Sequence, residues 1–154
     1  MTATLPNADR STPDRKNVSI RELLTRLEAL FDQAADARFD AALTERIRTE
    51  LQALHVALRR SRAARRIGGV TELQPLPPEY ADERQRLDEE YPRFLGMVDR
   101  LVRASHTVCD QALEDHDVFM LRGRELIASL RRHEAEEDRL FFLSAWQDTG
   151  GESG

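Results

Sequence analysis

The sequence predicts an all-α fold, an up-and-down four-helix bundle, and three observations lead to that prediction. Apolar residues recur in alternating steps of four and three along four stretches, which is the pattern of a helix with one face in a core. Aromatic residues make up 6% of the chain and charged residues 33%, a balance typical of long amphipathic helices. Most connections between the stretches are short, and this favours helices that run alternately up and down.

The first predicted helix begins after Ser19 and ends near Arg38. Ser19 and Glu22 form a capping box, in which each side chain can satisfy a backbone N–H at the start of the helix. The residues before it, 1–17, are polar and have no apolar periodicity, so we predict a disordered tail there. The inward-facing seam of the helix consists of Ile20, Leu24, Leu27, Phe31 and Ala34.

The second predicted helix is capped by Asp40, and the Gly68-Gly69 pair is expected to stop it, because glycine readily adopts the left-handed turn after a helix. A loop that carries Pro75, Pro77 and Pro78 should follow. The seam of this helix consists of Ile47, Leu51, Leu54, Leu58, Ser61 and Arg65.

The third predicted helix contains Pro92, which should bend it or loosen a turn. Its seam consists of Tyr80, Arg84, Leu87, Tyr91, Phe94, Val98, Leu101 and Ser105. The fourth should run from about Asp117 to Trp146, so the bundle spans 18–148 and a flexible glycine-rich end covers 149–154. The seam of the fourth helix consists of Phe119, Gly123, Leu126, Leu130, His133, Glu137, Leu140 and Ser144.

Composition excludes several classes of function. The 154 residues suffice for one domain with a real core. A net charge of −5 gives no case for binding nucleic acid or an anionic membrane. The chain has one cysteine, Cys109, which rules out an intrachain disulfide and fits a reducing compartment. No apolar run approaches the ~20 residues of a membrane span, and the N-terminus lacks a signal peptide's apolar region. We therefore predict a soluble, cytoplasmic protein.

Five seam positions near one end of the predicted bundle are polar instead of apolar. Burying an ionised glutamate is costly unless a metal, another cation or hydrogen-bond donors compensate its charge. Singly, a histidine or tyrosine in a seam is most simply a structural core residue. Their clustering is what makes this end of the bundle a candidate site, and its members are Ser61, Arg65, Tyr91, His133 and Glu137.

Other polar groups are weaker candidates. His106, Cys109 and Asp110 lie within one turn and could form a small separate metal site, but no second His or Cys follows at ligand spacing. The run "RRSRAARR" could suggest a phosphate-binding surface, and a solvated helix C-terminus explains it more simply. His55 and His116 fall off the seams and are predicted on the surface.

Four sequence segments resemble the bacterial hemerythrin-like, or HHE, family over about residues 18–151. "HEAEEDRL" and "DTGG" match that family's last helix and the tail that follows it. "LRRSRAARRIGG" keeps the frame and glycines of its second helix, and "EEYP" falls where its third helix carries a histidine followed by proline. The resemblance implies a four-helix bundle of the kind that holds a non-haem di-iron centre.

Carried over residue by residue, the family's ligand positions mostly lack ligands here. Only His133 and Glu137 keep the family's ligand types, so they are the remnant metal positions. Leucine has no lone pair, and arginine stays protonated and cannot coordinate a metal. We therefore expect no cofactor and a lost di-iron site; Arg65 would pair with Glu137 in a polar core network, or else extend to solvent. The six positions are Leu24, Ser61, Arg65, Tyr91, His133 and Glu137.

Two classes of function remain open. The first is a hemerythrin-like bundle without metal that serves as a structural, regulatory or partner-binding module. The second is a metalloprotein of the same family that handles oxygen, nitric oxide or iron through a rebuilt site containing His133 and Glu137. The missing histidines favour the first. No catalytic constellation supports an enzyme, and the sequence leaves the protein partner and the oligomeric state open.

Overall fold

The computed structural model describes residues 18–71 and 78–153, and within them the chain is all-helical, without a β-strand. The four α-helices are α1 (Ile20–Ala37), α2 (Ala41–Thr71), α3 (Pro78–Ser105) and α4 (Leu113–Ser153). A single 3₁₀ turn, Val108–Asp110, lies between α3 and α4. Each helix packs against the next along the chain, and α1 also packs against α4. The four helices thus form an all-α bundle around one core.

Both predicted N-terminal caps are present. The Ser19 hydroxyl accepts a hydrogen bond from the backbone N–H of Glu22 at 3.1 Å, and an Asp40 carboxylate oxygen accepts one from the N–H of Leu43 at 2.7 Å. Between the two helices, Arg38 has a φ of 68°, in a region that a side chain with a Cβ rarely adopts. Caps and this turn let α2 begin four residues after α1 ends.

The predicted end of the second helix and the predicted loop before the third are wrong. The Gly68-Gly69 pair does not stop α2, which continues to Thr71. Glycine in a helix costs only ~1 kcal/mol relative to alanine, so it permits a stop without forcing one. Pro78 is the first residue of α3 instead of a loop residue, because its fixed φ and missing N–H suit that position. Pro75 and Pro77 lie outside the described residues.

The fourth helix is longer than the sequence predicted. It begins at Leu113, where Glu114 and Asp115 in the first turn complement the positive end of the helix dipole. It extends to Ser153, beyond the expected end at Trp146 and through the glycine-rich segment. The flexibility of 149–154 stays a prediction, and so does the disorder of 1–17, which lies outside the described residues. The third helix is continuous across Pro92.

The predicted seams form the core. Every apolar seam residue from Leu24 to Leu58, and from Leu87 to Leu101, is buried. Gly123 is a buried contact point: a Cβ atom placed on it would lie 2.2 Å from Cζ of Phe31. The ring of Phe31 therefore packs directly against the backbone of α4, which explains a glycine in the middle of that seam.

The prediction for His116 is wrong. It is buried against the ring of Phe39, with 5.6 Å between ring centroids, and its Nδ1 has no hydrogen-bond partner among the described residues. Phe39 also meets Phe31 and Phe119 edge-on, so an aromatic cluster closes this end of the bundle. His55 is partly buried, with 26% of its side chain exposed, and its Nε2 lies 3.2 Å from Asp99 Oδ1.

Polar contacts join the helices outside the core. Arg131 and Arg124 of α4 pair with Glu28 and Asp32 of α1, at 2.7 and 2.8 Å. These pairs are exposed, so each contributes little to stability.

No helix in the described part of the chain is both long enough and apolar enough to cross a membrane.

Candidate functional site

The polar seam residues meet at the end of the bundle opposite the aromatic cluster, around the carboxylate of Glu137. Residues four apart lie on one helix face, so α4 presents His133 and Glu137 together, and α2 presents Ser61 and Arg65 together. Tyr91 comes from α3. The bundle therefore brings all five predicted site residues to one place.

The two oxygens of Glu137 contact different donors. Oε2 contacts Nη2 of Arg65, and Oε1 accepts a hydrogen bond of 3.0 Å from the Tyr91 hydroxyl. The second nitrogen of the same guanidinium, Nη1, donates to Oδ1 of Asp88 at 2.9 Å. The side chains of Arg65 and Glu137 are only 20% and 18% exposed. At that depth an unpaired carboxylate would be costly, and Arg65 compensates its charge.

His133 is enclosed by aromatic rings. Its side chain is 2% exposed, and the rings of Tyr91 and Phe94 meet it edge-on, with centroids 4.9 and 5.1 Å away. Nδ1 lies 3.4 Å from Oε1 of Glu90. Nε2 lies 2.7 Å from Oε1 of Glu137, but it forms no properly directed hydrogen bond with any described residue. Burial lowers the pKa of His133, and the contact with Glu90 opposes that shift.

Tyr91 is the neutral donor of the network. Burial raises the pKa of its hydroxyl above the usual value, while the charge of Arg65 and a side-chain hydrogen bond with Ser61 act in the opposite direction. The hydroxyl therefore keeps its proton at neutral pH and can donate to Glu137. The guanidinium carbon of Arg65 lies 5.8 Å from the centre of the Tyr91 ring, within the range of a cation–π contact.

One side of the network reaches solvent. An opening of about 310 Å³ leads inward between α2 and α3 to Arg65 and Tyr91. Arg65 stands across this path, between Glu137 on the inside and Asp88, whose side chain is 46% exposed, at the rim. The opening is lined by Arg62, Arg65, Gln85, Asp88, Glu89, Tyr91 and Pro92.

Sequence reasoning missed three members of the network. Asp88 precedes Tyr91 by three residues, so helical spacing could have placed it on the same side of α3. Glu90 is adjacent to Tyr91 and outside the seam, and the pattern gives no signal for it. The seam predicts that Phe94 lies in the core, and it does, but its contact with His133 follows from packing between α3 and α4.

The donor set does not suit a pair of metal ions. Leu24, at the first of the six carried-over positions, is fully buried in the hydrophobic core and offers only hydrocarbon. Arg65 places its positive charge against the carboxylate of Glu137, which a metal ion would need as a ligand. In the part of the chain that the structure describes, no three His, Cys, Asp or Glu side chains are grouped so that they could hold a metal ion. His106 and Asp110 are exposed and Cys109 is partly exposed, and they form no such group.

No model of a known protein family, no curated protein and no solved structure matches this chain. The likeness to hemerythrin-like proteins therefore rests on the sequence segments themselves and stays a prediction.

Proposed function

We propose that this protein is a hemerythrin-like, up-and-down four-helix bundle that has lost its di-iron site and serves as a structural, regulatory or partner-binding module. The observation that carries the proposal is the contact between Arg65 and Glu137. At the position that the sequence resemblance assigns to the family's cations, this chain has a guanidinium, which cannot coordinate a metal ion.

The chemistry of the surrounding groups supports this function. A dication bound by a carboxylate compensates its charge, and Arg65 does the same through its ion pair with Oε2 of Glu137 and its hydrogen bond to Oδ1 of Asp88. The Tyr91 hydroxyl is a neutral donor and gives the Glu137 carboxylate a further hydrogen bond. The polar groups are thus largely satisfied by one another, which is what a structural network requires and a reactive site does not.

A second candidate, a metalloprotein with a rebuilt site, is favoured by one contact. Nε2 of His133 and Oε1 of Glu137 are 2.7 Å apart without a directed hydrogen bond, so two ligand-type atoms face the same small space. Imidazole and carboxylate are suitable donors for non-haem iron. Two donors from adjacent turns of one helix would have to be supplemented by others, and Arg65 stands next to them.

The test is a metal analysis of the full-length protein, both as purified and after anaerobic loading with ferrous iron and exposure to air. We expect well under one iron per chain and no near-ultraviolet charge-transfer band. The His133→Gln, Glu137→Gln double variant is the matched control, because any iron bound elsewhere would survive in it. Near-stoichiometric iron that this control loses would overturn the proposal and establish the metalloprotein instead.

A further inference from the structure

A second concave site lies between α3 and α4, separate from the polar network. Its volume is about 690 Å³, within the range of small-molecule sites, roughly 300–1,000 Å³. Its floor is apolar: Leu101, Val108 and Phe119 are buried, and Met97 and Ala104 are partly exposed beside them. Val118, with 44% of its surface exposed, forms part of the wall. The groove therefore presents apolar surface that the bundle itself does not cover.

Three arginines line this groove, and none forms an ion pair with any described residue. Arg93 and Arg100 lie on α3, two helical turns or about 10 Å apart along the axis, and Arg122 lies on α4. Arg100 donates one hydrogen bond from Nε to the backbone carbonyl of Gly96, which leaves its terminal nitrogens available. The guanidinium groups are therefore free to bind an incoming anion.

Three other arginines of α4 pair with carboxylates on neighbouring helices. Arg124 and Arg131, on another face of α4, pair with carboxylates of α1. Arg139 of α4 pairs with Glu83 of α3. The groove thus combines an apolar floor with three arginines that form no ion pair with a described residue, whereas Arg124, Arg131 and Arg139 of α4 are paired.

We propose that this groove binds a small amphipathic carboxylate, an acid with a medium-length alkyl chain. The alkyl chain would lie on the floor, where Met97 and Ala104 are seven residues or about 10 Å apart along α3. The carboxylate would accept forked hydrogen bonds from Arg100 and Arg122. Two acidic residues also line the groove: Asp115 lies near the connection between the helices, and Glu125 lies one helical turn after Arg122 on α4.

Charge is what favours this ligand over a neutral or cationic amphiphile. The groove carries three arginines against two carboxylates, and a carboxylate head adds the missing negative charge. An alkyl chain alone would gain only the burial of its apolar surface, in proportion to the area covered. Carboxylate binding in this groove does not depend on whether the polar network binds a metal.

The experiment is a titration of the full-length protein with decanoate below its micelle concentration, followed by calorimetry and by amide chemical-shift changes. We expect saturable binding of one decanoate per chain, with shifts centred on residues of α3 and α4 that line the groove. Decylamine and decanol, which share the chain without the carboxylate, should bind at least ~10-fold more weakly, because charge-assisted hydrogen bonds contribute ~1.5–3 kcal/mol.

Three variants locate the site. Arg100→Gln combined with Arg122→Gln should weaken decanoate binding at least ~10-fold, and Val118→Gln should weaken it through loss of apolar contact. Arg103→Gln, an exposed arginine of α3 outside the groove, is the matched control and should change nothing. Melting temperatures near that of the wild type would show that the variants fold. Equal binding of the three amphiphiles, or decanoate binding that survives in the Arg100, Arg122 double variant, would overturn the proposal.

Discussion

Arg65 of α2 and Glu137 of α4 are in direct contact at the polar end of the core, and the same guanidinium holds Asp88 of α3 at 2.9 Å. One arginine therefore links three of the four helices. The carboxylate of Glu137, which is 18% exposed, and that of Asp88, which is 46% exposed, share its charge, so removal of Arg65 would leave both without their main partner. The energetic coupling of this contact is the first property to measure.

A double-mutant cycle of Arg65→Met and Glu137→Gln should give a coupling energy on the order of 1–3 kcal/mol. A fully buried pair would lose more, but both side chains are about one-fifth exposed, and solvent screens part of the interaction. Unfolding by urea, monitored by circular dichroism, supplies the four free energies.

The control for this cycle is the exposed pair formed by Arg131 and Glu28, whose side chains are 44% and 40% exposed. Arg131→Met with Glu28→Gln should give a coupling below ~1 kcal/mol. Additive losses at Arg65 and Glu137 would show that their contact contributes nothing to stability.

Gly123→Ala should destabilise the protein by about 1–3 kcal/mol, the usual range for overpacking a core. The added Cβ would lie 2.2 Å from Cζ of Phe31, so ring or helix must shift. Gly96→Ala is the matched control, because the nearest atom to its Cβ would be Nη2 of Arg100 at 3.8 Å; there the helix should gain ~0.5–1 kcal/mol. If Gly123→Ala and Gly96→Ala stabilise the protein equally, Phe31 does not pack closely against the backbone of α4.

The free energy of unfolding should fall as the pH drops below about 6.5, the ordinary pKa of histidine. Burial lowers the pKa of His133 in the folded state, so in this range the unfolded chain takes up a proton that the folded chain does not. The decline should continue until the pH reaches the folded-state pKa. His133→Gln should flatten this slope, and His106→Gln, at an exposed position, should leave it intact. An equal or steeper slope in His133→Gln would contradict the prediction.

If the six carried-over positions form one site, metal ligands introduced there should create iron binding. The combined substitutions Leu24→His, Ser61→His, Arg65→Glu and Tyr91→His add four donors to His133 and Glu137 and remove the cation. Without metal the variant should be less stable than the wild type, because it buries unpaired polar groups, and iron should recover that loss by binding the folded state. Iron content and the iron-dependent shift in melting temperature are the readouts.

The control for this variant keeps Arg65 and changes only the other three positions. It should bind less iron, because the guanidinium still competes for Glu137. If the full variant folds yet binds no more iron than the wild type, these six positions do not form one metal site.

Much of the fold could be predicted because its signals are local. Ser19 and Asp40 cap their helices through backbone groups only three residues away. The burial of Leu24, Leu58 and Phe94 follows from the helical periodicity of apolar residues in the sequence. The helix ends at Gly68-Gly69 and Trp146 were mispredicted because glycine permits a helix to end without requiring it, and nothing local then decides where it stops.

Local pattern by itself determined the class of fold, two helix starts and the polar residues that face the core. Tertiary structure alone decided which of these residues meet. The spacing of His133 and Glu137 shows that they share a face of α4, but the contacts of Arg65 with Glu137, of Glu90 with His133 and of His116 with Phe39 join residues far apart in the chain. Such contacts depend on how the helices are rotated and packed against one another, and no periodicity within a single helix carries that information.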